Sequence, residues 1–126
     1  MPPETLKLLW DIRRAAENVQ QFCIGRSRAD FESDLLFRSG VERQFEIIGE
    51  AMTRLRRVDE NVLHKIQDYR QIIRFRNVLV HGYDVVRKET VWEIVNTSLP
   101  VLLKDVDQLL PPDPPLDSSP STRPRP

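Results

Sequence analysis

The helical nature of the chain is plainest in the stretch VERQFEIIGEAMTRL, residues 41–55. Its apolar side chains recur at steps of three and four residues, which places them on one face of an α-helix. They are Val41, Phe45, Ile48, Met52 and Leu55, and Leu35 and Phe31 extend the pattern upstream. A long helix that buries one face is therefore the first element that we predict.

Three further stretches show the same spacing. One follows Pro2 and Pro3 and should stop at Gly25, since glycine is well suited to a helix end. The others cover about residues 60–81 and 88–110, and Pro100 should kink the last one because it removes a helical hydrogen bond. Four amphipathic helices with short connections are most simply packed as an antiparallel up-and-down bundle. We therefore predict an all-α, four-helix fold.

The composition fits one soluble domain with a tail. The chain has 126 residues, of which 40% are hydrophobic and 30% charged, a balance typical of globular proteins. Residues 111–126 contain seven of the ten prolines and almost nothing apolar, so they should be disordered. We expect a helical bundle over residues 1–110 and a proline-rich tail over residues 111–126.

Several classes of protein are disfavoured. With one cysteine, no disulfide can form within the chain, which favours the reducing cytoplasm. No apolar run approaches the ~20 residues that a membrane helix needs, and the first residues do not resemble a secretory signal. No P-loop, GxGxxG, HExxH or CxxC motif occurs. We therefore predict no membrane association, no metal and no cofactor.

Charge is unevenly distributed although the formal net charge is zero. Residues 54–88 carry nine basic and four acidic side chains, a net charge of +5. Such a segment is either a set of solvated helix faces or a phosphate-binding surface. Glu42, Glu46 and Glu50 lie at steps of four on one helix face. Pairing with arginines is their expected role, and one of them holding Arg76 or Arg43 is the alternative.

Polar side chains cluster in RNVLVHGY, residues 76–83, at the end of the third predicted helix. On a straight helix Arg76 and His81 point about 140° apart, whereas Asn77 and His81 share a face. Gly82 suits the left-handed position just after a helix. We therefore expect the helix to stop at about His81, with Tyr83 projecting from the following turn.

This segment resembles the R-x4-H-x-Y signature of the HepT-like toxins of the HEPN superfamily. Residues 41–51 (VERQFEIIGEA), Val91-Trp92 and Leu99-Pro100 resemble the same family, and the likeness covers about residues 5–110. It implies a homodimer of helical bundles with an RNA-cleaving site on the two-fold axis. Arg76 and His81 are then catalytic. It also implies an MNT-type nucleotidyltransferase antitoxin that transfers AMP to Tyr83.

The chemistry of RNA cleavage is compatible with these residue types. RNA supplies its own nucleophile, the 2′-hydroxyl. His81 can transfer protons near neutral pH, and Arg76 can bind the phosphate oxygens through its planar fork. Asn77 is a supporting residue that orients His81 or contacts the phosphate, and the Tyr83 hydroxyl is a second possible RNA contact. A two-fold dimer brings in a second His81, so that one imidazole can act as base and the other as acid.

The sequence is compatible with three interpretations. The chain is either an endoribonuclease or a non-catalytic scaffold and protein substrate of the nucleotidyltransferase. A third interpretation is a helical dimer whose basic segment binds RNA without cutting it.

Overall fold

The computed structural model describes residues 1–81 and 87–112, and these ranges contain six helices and no strand. The helices are α1 (Pro3–Cys23), α2 (Arg28–Ser33), α3 (Leu35–Val58), α4 (Glu60–Leu63), α5 (Tyr69–His81) and α6 (Lys88–Leu109). The all-α class is confirmed. The predicted number of helices is wrong, because two of the four predicted helices are each divided in two.

The first division falls at Asp34. Ser27 and Asp30 form a reciprocal capping box that starts α2, and the Asp34 side chain accepts the Phe37 N–H at 3.1 Å to start α3. Two consecutive start signals impose two helices where the apolar pattern alone predicts one. Leu35 is consequently 66% exposed and does not belong to the buried stripe.

The second division separates α4 from α5. Asp59 caps α4 by accepting the Val62 N–H at 3.3 Å. The Gln67 backbone N–H donates instead to Asp105 on α6, at 2.9 Å. This N–H is therefore used outside any helix, and α5 begins only at Tyr69.

Helix α1 has the bounds that its sequence indicates. It starts directly after Pro2 and ends at Cys23, and Gly25 has a φ of 71°, in the left-handed region that favours glycine. At its start the Thr5 hydroxyl donates to Asp59, just beyond α3, at 3.2 Å. Near its end Asn18 donates to Gln44 in the first half of α3 at 3.1 Å. Helices α1 and α3 are therefore antiparallel.

Helix α6 runs in the same direction as α3 and continues through Pro100. Near its start Trp92 packs on Phe37, with ring centroids 6.0 Å apart, so it serves as a packing anchor. Near its end Asp105 reaches Gln67, beyond the end of α3. Helix α3 packs against α1 and α5, and α1 packs against α6.

The core is built mainly from the apolar stripes of the four long helices, and the short helices α2 and α4 add Phe31 and Leu63 to it. Its largest fully buried side chains include Leu9, Ile12, Phe31, Phe45, Ile48, Met52, Leu55, Leu63, Ile72 and Leu102. No helix within the described ranges is long and apolar enough to cross a bilayer. Residues 113–126, most of the predicted tail, lie outside the described residues.

Candidate active site on helix α5

Helix α5 carries the polar motif, and another face of the same helix is anchored in the core. Tyr69, Ile72 and Phe75 are buried, at the spacing of a helical stripe. Phe75 packs edge-on against Phe45 of α3, with ring centroids 5.5 Å apart. Arg76 follows directly after this contact, so its backbone position is fixed by the core.

The stem of Arg76 lies against the backbone of α3 at Gly49. A Cβ atom placed on Gly49 would be 2.5 Å from the Arg76 Cγ and closer still to its Cβ. Ordinary contacts between carbon atoms are about 3.5–4.0 Å long. The absence of a side chain at position 49 therefore allows this close approach of α5 to α3.

The head of Arg76 is held by two acceptors. Its Nη1 donates to Asn77 Oδ1 at 3.0 Å, and its Nη2 donates to Glu50 Oε2 at 3.4 Å. The Nε atom is buried and has no hydrogen-bond partner among the described residues. The side chain remains 28% exposed, so part of the guanidinium is accessible to an anion such as a phosphate.

His81 is the last residue of α5 and is exposed. Its imidazole makes no hydrogen bond or ion pair with residues 1–81 or 87–112. Asn77 contacts Arg76 rather than His81. Among the described residues, no partner therefore prevents the imidazole from contacting a substrate.

Arg76 and His81 are not brought together within one copy of the chain. Both belong to α5, so a separation of five residues corresponds to about 140° of rotation and about 7.5 Å of rise. Arg76 leans towards α3, whereas His81 lies at the end of the helix. Gly82 and Tyr83, for which a turn and a control site are predicted, lie outside the described residues.

The basic segment is partly neutralised. Arg54 lies 3.8 Å from Glu4, and Arg87 lies 3.6 Å from Glu89. Arg56 and Arg57 occupy the last turn of α3, where positive charge is favoured by the helix dipole. Arg70 stacks on Tyr69 at 4.8 Å. Three arginines of residues 54–88 thus face carboxylates from outside the segment, which offsets part of its net charge; they are Arg54, Arg76 and Arg87.

The three glutamates on one face of α3 differ in their contacts. Glu50 pairs with Arg76, and Glu46 accepts a hydrogen bond from Arg43 at 3.2 Å. Both alternatives for this row, arginine pairing and the holding of Arg76, are therefore realised. Glu42 is half-buried, its Oε2 has no partner among the described residues, and burial raises its pKa to about 7.

Within the described ranges, no group of three or more His, Cys, Asp and Glu side chains is placed to hold a metal ion. His64, interpreted as a surface residue, is 48% exposed and lies 3.6 Å from Glu60.

Sequence reasoning missed the contact between Gly49 and Arg76. An isolated glycine inside a strong helical pattern often has a packing reason, and this was the available signal. It marks the position but does not identify the partner, because that requires the register of α5 against α3.

Comparison with known proteins identifies the class. The sequence profile of the ribonuclease HepT-like family matches residues 12–109, and the chain belongs to this family. A Thermococcus cleftensis protein named "Probable ribonuclease HepT" is 32% identical over 80% of this chain and 91% of its own length. Two Methanocaldococcus jannaschii proteins named as candidate RNases are 29% and 26% identical, over 79% and 87% of this chain and 90% and 91% of their own lengths. No solved structure matches the chain significantly.

Proposed function

We propose that the chain is the toxin of a HepT/MNT-type toxin–antitoxin system and acts as a metal-independent endoribonuclease. Arg76 and His81 are its catalytic residues, and Asn77 supports them. The proposal rests on family membership together with two features of α5. The Arg76 guanidinium is oriented and partly accessible, and the His81 imidazole has no partner among residues 1–81 and 87–112.

The proposed reaction uses the 2′-hydroxyl of the RNA as nucleophile. The imidazole of one His81 takes the hydroxyl proton while the 2′-oxygen forms a bond to phosphorus. The bond from phosphorus to the 5′-oxygen breaks, and an imidazolium donates a proton to that oxygen. The products are a 2′,3′-cyclic phosphate and a 5′-hydroxyl end. The Arg76 guanidinium stabilises the charge on the non-bridging oxygens.

A homodimer supplies what one copy lacks. One copy has a single His81, whereas the reaction benefits from a base and an acid. Arg76 and His81 of the same copy also point in different directions along α5. A two-fold axis beside the end of α5 would bring two imidazoles and two guanidinium groups to one cleft.

Tyr83 is the proposed control point. The nucleotidyltransferase antitoxin would join the tyrosine oxygen to the α-phosphate of ATP and release pyrophosphate. The AMP group would add negative charge and bulk to the proposed RNA-binding cleft, so that it competes with the RNA phosphate. Inhibition would then follow without any unfolding of the bundle.

Cleavage is tested by incubating purified protein with RNA in the presence of a chelator. The wild-type protein should yield fragments with 5′-hydroxyl ends. His81→Ala and Arg76→Ala should each lower the rate by about 100-fold or more, with unchanged circular dichroism. His64→Ala is a matched control, because this surface histidine stacks on Tyr69 at the start of α5, the end opposite to His81, and it should cleave normally.

Two outcomes would contradict the enzyme proposal. Binding of RNA without fragments would favour an RNA-binding dimer. Growth inhibition that persists in His81→Ala, with retained binding to the nucleotidyltransferase, would favour the scaffold.

Modification is tested by co-expression with the nucleotidyltransferase, followed by peptide mass spectrometry. The peptide that contains Tyr83 should gain the mass of adenylate, and the modified protein should no longer cleave RNA. Tyr83→Phe should stay unmodified, whereas Tyr69→Phe, which alters a buried tyrosine, should still be modified. An adenylate on the Tyr83→Phe protein would show that the control point is elsewhere.

A further inference from the structure

Two residues of α3 lie directly beneath the proposed catalytic arginine. We propose that Gly49 and Glu50 are positioning residues that together form a seat for Arg76, an inference that rests on the proposed ribonuclease function. Gly49 leaves room for the aliphatic part of the Arg76 side chain, and Glu50 accepts a hydrogen bond from its guanidinium group.

The role of Gly49 follows from distance. A Cβ atom at position 49 would lie 2.5 Å from the Arg76 Cγ and nearer to its Cβ, so contact at van der Waals distance requires a shift of about 1 Å or more. The atoms that it would meet belong to the base of the side chain, not to its flexible end. Relief must therefore move α5 or redirect the whole side chain, and either change displaces the guanidinium.

The role of Glu50 follows from charge. Its carboxylate lies 3.4 Å from Arg76 Nη2, where it repels an incoming phosphate and competes for the same donors. A negative group here weakens RNA binding, so its contribution is to orient the guanidinium. Loss of the oxygen acceptor at position 50, as in Glu50→Ala, should consequently lower kcat while KM falls or stays constant. A residue that only stabilises the fold would not separate these two constants.

The chain contains a matched control for Gly49. Gly40 lies on the same helix, and a Cβ atom there would meet only the Phe22 ring, at 3.4 and 3.6 Å. Gly49→Ala and Gly40→Ala both exchange a helix-interior glycine for alanine, which has the higher helix propensity. They differ in that only the first change collides with Arg76.

The experiment compares steady-state RNA cleavage and the NMR signal of the Arg76 Nε–H group in these variants. That signal is assigned by its loss in Arg76→Lys, and it is a local probe because Nε is buried. Gly49→Ala should lower kcat by about tenfold or more and shift the signal. Gly40→Ala should leave both close to wild type. If Gly49→Ala has the wild-type kcat and an unchanged Arg76 Nε–H signal, the proposed positioning role of Gly49 is wrong.

Glu50 provides the test if Gly49→Ala does not fold. Glu50→Gln retains an oxygen acceptor for Arg76 and should preserve most of kcat, whereas Glu50→Ala should lower kcat without raising KM. Identical constants and an unmoved Arg76 signal in both variants would overturn the proposal.

Failure of the proposed function is distinguishable from failure of the seat. If the wild-type protein does not cleave RNA, or if Arg76→Ala cleaves normally, the ribonuclease assignment to Arg76 is wrong. The Arg76 signal in Gly49→Ala then still shows whether Gly49 sets the position of this side chain.

Discussion

Two glutamates on the same face of α3 have different surroundings. Glu50 is exposed and pairs with Arg76, so its charge is compensated by a neighbour and by water. Glu42 is half-buried, and its Oε2 has no partner among the described residues. Burial disfavours a carboxylate and raises the pKa of Glu42 to about 7, while Arg38 and Lys88 lower this pKa and Glu46 raises it.

The raised pKa of Glu42 predicts how stability depends on pH. The folded state binds the Glu42 proton more tightly than the unfolded chain does, so this residue makes the protein less stable as pH rises from about 4.5 to about 7. Glu42→Gln removes the ionisation. It should raise the melting temperature at about pH 8 by a few degrees and change it little at about pH 5.

Thermal unfolding across this pH range provides the measurement. Glu93→Gln is the control, because Glu93 is 65% exposed, and this variant should keep the wild-type pH dependence. An equal change in melting temperature at both pH values in Glu42→Gln would contradict the assignment.

Among the helices, α5 depends on contacts from its neighbours. Its start is tied to α6, where buried Asp105 accepts the Gln67 backbone N–H at 2.9 Å and the Gln67 side chain at 3.1 Å. Its centre packs on α3 through Phe75 and Arg76. The position of the candidate site is therefore set by two other helices.

Removal of the Asp105 carboxylate, which links α6 to Gln67 just before α5, should destabilise the protein. Asp105→Ala leaves a partly buried backbone N–H without its acceptor, at a cost of about 1–3 kcal/mol in the free energy of unfolding. Asp107→Ala removes the same side chain two residues later, where it is half exposed and pairs with Arg13, and should cost less than about 1 kcal/mol. Denaturant unfolding measures the loss in the free energy of unfolding for each variant. Equal losses would contradict a stabilising role for the contact between Asp105 and Gln67.

The sequence predicts the long helices well because their apolar stripes are regular. Gly25 marks the end of α1, and the predicted apolar stripe of α3 is buried as expected, namely Val41, Phe45, Ile48, Met52 and Leu55. The divisions at Asp34 and at Gln67 were missed for different reasons. A local cap overrides the pattern at Asp34, and a contact with α6, distant in sequence, does so at Gln67.

The candidate site was predictable only in part. The motif identifies Arg76, Asn77 and His81 as chemically capable side chains at one helix end. Their contacts depend on how α5 lies against α3, which spacing along one helix does not define. The structure therefore adds Gly49 to this set. It also identifies Glu50 as the glutamate of the row that pairs with Arg76, and it pairs Asn77 with Arg76.

On the scale of the whole molecule, the bundle presents the end of α5 to the outside. His81 is exposed there, and Arg76 lies on the same helix with its head partly accessible. One copy offers one imidazole, and its two proposed catalytic groups diverge around the helix. The proposed active site therefore requires a second copy of the chain to be complete.

Subunit dilution tests this requirement most directly. Wild-type and His81→Ala proteins are mixed in a series of ratios, and their subunits are allowed to exchange. The cleavage rate is then measured at constant total protein concentration. If both imidazoles act in one cleft, mixed dimers are inactive and the rate follows the square of the wild-type fraction, falling to about a quarter at an equal mixture. A rate that falls in simple proportion to the wild-type fraction, with mixed dimers verified by mass spectrometry, would contradict the shared site.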